Sequence, residues 1–110
     1  MDKYEQAYKL ETETGVKAFL KDYQKLSEAR FFANDLSISD MLIDFGIAID
    51  RALTDRQKEV VILTYFQDLK QVDVAKTLGL SQQTVQEHTV KAIKNLATYH
   101  ILSKQREEQG

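Results

Sequence analysis

Gln71-Val-Asp-Val-Ala-Lys-Thr-Leu-Gly-Leu-Ser-Gln-Gln-Thr-Val85 is the stretch whose reading decides the fold. Counted from Gln71, Ala75 takes the fifth place, where two crossing helices touch and only a small side chain fits. Gly79 takes the ninth, in the turn, and Val85 the fifteenth, where it pins the second helix on the first. Val74, Leu78 and Leu80 fill the other core places. A short turn must hold two helices at roughly 90–120° for this spacing to work. Six positions agree with that geometry, and Ser81 follows the turn as a cap. The stretch reads as a helix-turn-helix, with helices expected at about 71–78 and 82–102.

Working toward the N-terminus, Gln67-Asp-Leu-Lys70 connects to an earlier helix. Thr54-Asp-Arg-Gln57 has the capping-box pattern and opens that helix, which is expected to run through about Phe66 with Val60, Val61 and Leu63 inward. Before it, Leu42, Phe45 and Ile49 recur at helical spacing on a helix ending near Ala52, with Ser37 or Ser39 as its cap. Ala33-Asn-Asp35 reads as a break. The segment from Lys3 to Phe32 is helix-rich, with Gly15 expected to split it and Thr14 to cap the second part. Phe19, Leu20, Tyr23 and Leu26 then repeat at helical spacing. Tyr23, Phe31, Phe32, Phe45, Tyr65 and Phe66 read as core, with a partner surface as the alternative for Phe31 and Phe32.

The chain of 110 residues has no proline and only four glycines. Proline breaks helix interiors, so its absence fits long helices, and the expected fold class is all-α. Three parts are expected: an N-terminal helical segment, 1–36, for dimerisation or partner docking; a helix-turn-helix domain, 37–104; and a frayed polar tail, 105–110. With no cysteine, disulfides and thiolate metal sites are excluded. No apolar run approaches the roughly 20 residues needed to span a bilayer. Met1-Asp-Lys-Tyr-Glu5 does not resemble a secretory signal, so no membrane partner and a cytoplasmic location are expected. Net charge is −2 and unevenly spread: residues 1–50 hold 6 Lys+Arg against 10 Asp+Glu, and residues 51–110 hold 9 against 7. The overall charge weighs weakly against a nucleic-acid partner, and the mildly basic C-terminal part softens that objection.

The same residues carry a family resemblance. Leu53-Thr-Asp-Arg-Gln-Lys-Glu-Val60, Tyr65-Phe66, Val74-Ala-Lys-Thr-Leu-Gly79, Ser81-Gln-Gln-Thr-Val85, Ala92 and Leu96 resemble region 4 of bacterial sigma factors. Thr84-Val-Gln-Glu-His88 is also similar to the LuxR-type output domain. The resemblance implies a small helical domain that reads a promoter element and touches RNA polymerase. Three departures stand out. Thr89 occupies a place that is usually aliphatic, the second helix carries glutamines where arginines are common, and residues 1–50 lack an aromatic, basic strand-opening region. The likeness is therefore to a stand-alone region-4-like regulator of the kind found in phages and mobile elements.

Candidate site residues follow from the second helix. Gln82, Gln83 and Gln86 lie on its leading turns, where an amide can pair bidentately with adenine N6 and N7. Glu87 suits either an acceptor for cytosine N4 or a balance to Lys91. Thr84 suits a phosphate or a thymine methyl. Arg56, Lys58, Lys70, Ser81, Lys91 and Lys94 are the candidates for phosphate contacts, which position a protein without reading sequence. His88 and His100 are three helical turns apart, too far for one metal ion, and Asp40 with Asp44 reads as a solvated face. No nucleophile–base constellation, metal set or cofactor motif is present, so an enzyme is not expected. The expected function is sequence-specific binding of double-stranded DNA in transcription control, with RNA polymerase as a partner and a homodimer as a further expectation. The rival is a region-4 mimic that modulates polymerase or a sigma factor through protein contact.

Overall fold

The computed structural model describes residues 8–33 and 36–109, with side chains described at 8–28 and 38–107. Five α-helices follow in order among the described residues: α1 (Glu13–Ala33), α2 (Leu36–Ala52), α3 (Asp55–Val61), α4 (Gln71–Leu78) and α5 (Gln82–Gln109). A π-helical stretch, Ile62–Phe66, extends α3. No strand occurs among the described residues, and the fold is all-α.

The start of α1 differs from the expectation built on Thr14 and Gly15. Thr12 is the cap: its hydroxyl accepts from the Gly15 amide at 3.0 Å and donates to the Lys9 carbonyl at 2.8 Å. Gly15 does not split the segment but sits in the first turn of α1. A Cβ there would overlap the carbonyl oxygens of Tyr8 and Lys9. Glycine is required because the preceding turn folds back directly over the helix. That turn also places Tyr8 against Phe19, edge to face at 5.3 Å, and its hydroxyl 2.9 Å from Asp22.

Helix α2 begins at Leu36, so Ser37 and Ser39, the expected caps, lie within its range. Asn34 and Asp35, the centre of the expected break, fall outside the described residues, as do Tyr4 and the side chains of Phe31 and Phe32. The face of α2 read from Leu42, Phe45 and Ile49 is the packed one, joined by Ile38, Met41 and Ala48.

Both halves of the Thr54–Gln57 capping box form, each hydrogen bond at 3.2 Å. Two orphan amides of the first turn are thereby satisfied. The run expected to Phe66 widens after Val61, where the Gln67 amide reaches back five residues to Ile62. One extra residue per turn rotates the following side chains. Phe66 then stacks on Tyr23 of α1 at 4.1 Å, and the Phe66 carbonyl accepts from Gln24.

Two apolar clusters result. The larger joins α1, α2 and the middle of α5 around Phe19, Phe45 and Leu96. The smaller, Val60, Val74, Ala75 and Val85, sits inside the helix-turn-helix. Neighbouring residues Val60 and Val61 of α3 belong to different clusters, so α3 is the seam between them. The N-terminal segment is packed on the rest of the chain through Val16, Phe19, Leu20 and Leu26. The polar tail expected to fray after residue 104 continues α5 as helix to Gln109.

Candidate nucleic-acid interface

The interface is built outward from the turn. Gly79 adopts φ +69° and ψ +33°, the left-handed conformation that costs glycine least. The Leu80 amide returns to the Ala75 carbonyl at 2.9 Å and the Gly79 amide to that of Lys76 at 3.4 Å. This pair of bonds closes the end of α4 and sets the exit direction of the chain. Ser81 then caps α5: its hydroxyl accepts from the Thr84 amide at 3.1 Å and donates to the Thr84 hydroxyl at 2.9 Å. Ala75 and Val85 are buried at the crossing, with Val74 beside them and Leu78 and Leu80 half-buried against the cluster.

The leading turns of α5 project into solvent. Gln82, Gln83, Gln86 and Glu87 are exposed, and Thr84 is half-buried beneath its bond to Ser81. Gln86 differs from the other two glutamines. Its carbonyl oxygen accepts from the side-chain amide of Gln71, the first residue of α4. A bidentate pair with adenine needs that oxygen as an acceptor; in Gln86 it already holds one bond, whereas in Gln82 and Gln83 it holds none. Gln71 escaped the sequence reading. The available signal was its place as first residue of the first helix, fifteen positions from Gln86.

The candidate phosphate ligands divide into two groups. Lys70 is exposed at the N-cap position of α4, next to Gln71 and so close to the leading turns of α5. Arg56 and Lys58 lie elsewhere and are already partnered. Arg56 is 3.2 Å from Glu59, and Lys58 is 3.1 Å from Asp50. Between them, Gln57 accepts from Asn95 of α5 at 3.2 Å. Asn95 is thirteen residues past Gln82, about 20 Å along the helix at 1.5 Å per residue. Lys91 and Lys94 are exposed along that same length of α5. The structure therefore gathers Lys70, Ser81, Gln82, Gln83, Thr84, Gln86 and Glu87 at one end and sets Arg56, Lys58 and Lys94 well behind them.

Thr89, the departure from an aliphatic place, is buried, and its hydroxyl donates to the Val85 carbonyl at 2.9 Å. That internal bond satisfies the buried oxygen and lets a polar residue stand in the core. His88 is half-buried. His100 packs 5.7 Å from the Phe45 ring, and its Nδ1 donates to the Leu96 carbonyl at 2.7 Å. Burial pushes its pKa below the ordinary histidine value, against smaller opposing effects of that bond, Glu11 and Asp44. Asp40 and Asp44 are exposed on α2. Among the described residues no three His, Asp or Glu side chains converge as metal ligands, and no helix is long and apolar enough to cross a membrane.

Residues 51–98 match the family described as Sigma-70, region 4. They form a sigma region 4-like helix-turn-helix domain. The matched family is one of DNA-binding regulatory domains. The match starts at Arg51, near the end of α2, and stops at Thr98, inside α5. Helix α1, most of α2 and the last turns of α5 lie outside it. No curated protein and no solved structure matches the chain.

Proposed function

We propose that this chain is a sequence-specific DNA-binding transcription regulator that acts at promoters together with RNA polymerase. The observation that carries the reading is the leading turn of α5: two exposed glutamine amides on a serine-capped helix, presented by a closed glycine turn. In a helix-turn-helix the second helix enters the major groove by its N-terminal end, where base edges carry the full donor and acceptor code. Gln82 and Gln83 read bases, Gln86 is held by Gln71 through its carbonyl oxygen and keeps its NH2 group to donate, and Glu87 and Thr84 flank them. Lys70 and Ser81 hold phosphates beside the reading end, while Lys91, Lys94, Arg56 and Lys58 supply weaker contacts farther back.

Polymerase enters the proposal through charge. Residues 51–98 hold 7 Lys+Arg against 5 Asp+Glu. Phosphate neutralisation supplies much of DNA affinity, so a monomer this mildly basic binds weakly unless a partner adds to it. The same arithmetic, with Arg56 and Lys58 already paired to carboxylates, favours one rival: a region-4 mimic that modulates polymerase or a sigma factor by protein contact.

Electrophoretic shifts over a promoter library, with and without polymerase holoenzyme, separate the two. On the preferred site, Gln82→Ala or Gln83→Ala is expected to cost about 1–3 kcal/mol, with binding to random DNA unchanged. A chain that retains its effect on polymerase while both glutamine changes leave site preference untouched belongs to the rival reading.

A further inference from the structure

A groove of about 530 Å³ runs between α2, the last turns of α5 and the turn before α1. Its floor is Leu10, Met41, Phe45, Tyr99 and His100, with Ile47 at the rim. Glu11, Asp44, Lys104 and Glu107 edge it. None of these residues falls within 51–98, so the groove is built wholly from what this chain adds to its helix-turn-helix domain. We propose that it is a docking groove for a basic amphipathic helix of a partner protein.

The apolar part of the argument is exposure. Ile47 is 41% exposed at the groove, and Ile43, one turn earlier on α2, is 60% exposed. Ile47 thus sets an exposed apolar side chain at the rim, above a floor of aromatic and aliphatic side chains, as interaction sites commonly do.

Charge names the occupant. Lys104 lies 3.9 Å from Glu11, which leaves Asp44 and Glu107 with no ion-pair partner among the described residues. Asp40, one turn before Asp44, extends the acidic edge along α2. His100 adds no cation near neutral pH, because burial holds it uncharged. An isologous contact of two copies across α2 would set Asp40 and Asp44 against their own equivalents, and opposed like charges are penalised at an interface. A helix with apolar residues at i, i+3 and i+4 and lysine or arginine on either flank satisfies both the floor and the edges. Tyr99 is seventeen residues past Gln82, about 25 Å along α5 at 1.5 Å per residue, so the groove stays open while the leading turns engage DNA.

The proposal does not rest on the DNA-reading role, and its test uses no DNA. The probe is a fluorescein-labelled leucine–lysine peptide of about four helical turns with leucines at helical spacing. Its control is a scramble of the same composition. Anisotropy titration with the full chain is expected to show saturable binding of the patterned peptide and at least about tenfold weaker binding of the scramble. The double change Asp44→Lys with Glu107→Lys, and separately Ile47→Ser, are each expected to weaken binding about tenfold; all three side chains are at the surface, and circular dichroism checks each fold. Amide shift changes in the unaltered chain are expected at 41–47 and 99–107. Equal binding of the scramble, indifference to the charge reversals, or shift changes at 82–88 instead would overturn the proposal. So would light scattering that shows a dimer dissolved by Ile47→Ser, since a second copy would then fill the groove.

Discussion

The helix-turn-helix and the helices around it are held by different means. Inside the helix-turn-helix, among the described residues, four buried side chains form the cluster, all valine or alanine. Outside it, sixteen buried side chains among the described residues join α1, α2 and α5, including the tilted ring pair Phe19 and Phe45 at 4.4 Å. The helix-turn-helix thus has sharp local geometry and little core of its own. Its rigidity is borrowed through α3, which faces both clusters, and through α5, which gives Val85 to one and Ala92, Ile93, Leu96 and Ala97 to the other. Shape is specified at the turn and stability is supplied elsewhere, so damage to the two regions should look different.

The largest effect is expected from Phe19→Ala, at the centre of the larger cluster. Truncating a buried phenylalanine costs about 3–5 kcal/mol, to be read from the denaturation midpoint. The fraction that remains folded should keep its site preference, since Phe19 touches nothing at the reading end. A change in preference without loss of stability would break the division drawn above.

Gly79→Val tests the other side. No neighbouring atom lies within 4 Å of a Cβ there, so the cost expected is mainly backbone strain at φ +69°, about 1–3 kcal/mol or somewhat more for a β-branched residue. Here specific DNA affinity should fall along with stability, because the strain acts on the direction in which α5 leaves the turn. Unfolding midpoints and shift titrations on the same preparation compare the two variants directly.

A smaller effect sharpens the split among the cations. Lys70→Ala should reduce the slope of log affinity against log salt by about 1, as expected for one phosphate contact. Arg56→Ala should change it less, because its guanidinium is already engaged by Glu59. Equal changes would place both cations on the same phosphate track.

The smallest effect belongs to His100. Its folded pKa lies below the unfolded value near 6.5, so the unfolded chain binds the extra proton first as pH falls. Stability should be level above about pH 7 and decline shallowly below 6.5 until the folded pKa is passed. In His100→Gln that slope should disappear from the midpoint-against-pH curve, while the reading end is left unchanged.

The sequence by itself determined the parts whose geometry is local. The turn at Gly79, the Ser81 cap, the Thr54–Gln57 box and the ends of α4 all rest on bonds between residues a few positions apart, and residue type alone restricts such bonds. Spacing likewise identified Ala75, Val74 and Val85 as the crossing, because a short turn permits few alternatives. What spacing could not show depended on which distant surfaces meet. Thr12 displaces Thr14 as a cap because the turn at 8–12 folds back on α1, and Gly15 is needed because that turn passes so close. The π-helical end of α3 exists where Phe66 reaches Tyr23, forty-three residues away. Gln86 is taken up by Gln71, Lys58 by Asp50, and the groove joins residues from both ends of the chain. Each is a contact between segments far apart in sequence. Residue type states what such a side chain can do, and only packing decides which neighbour it finds.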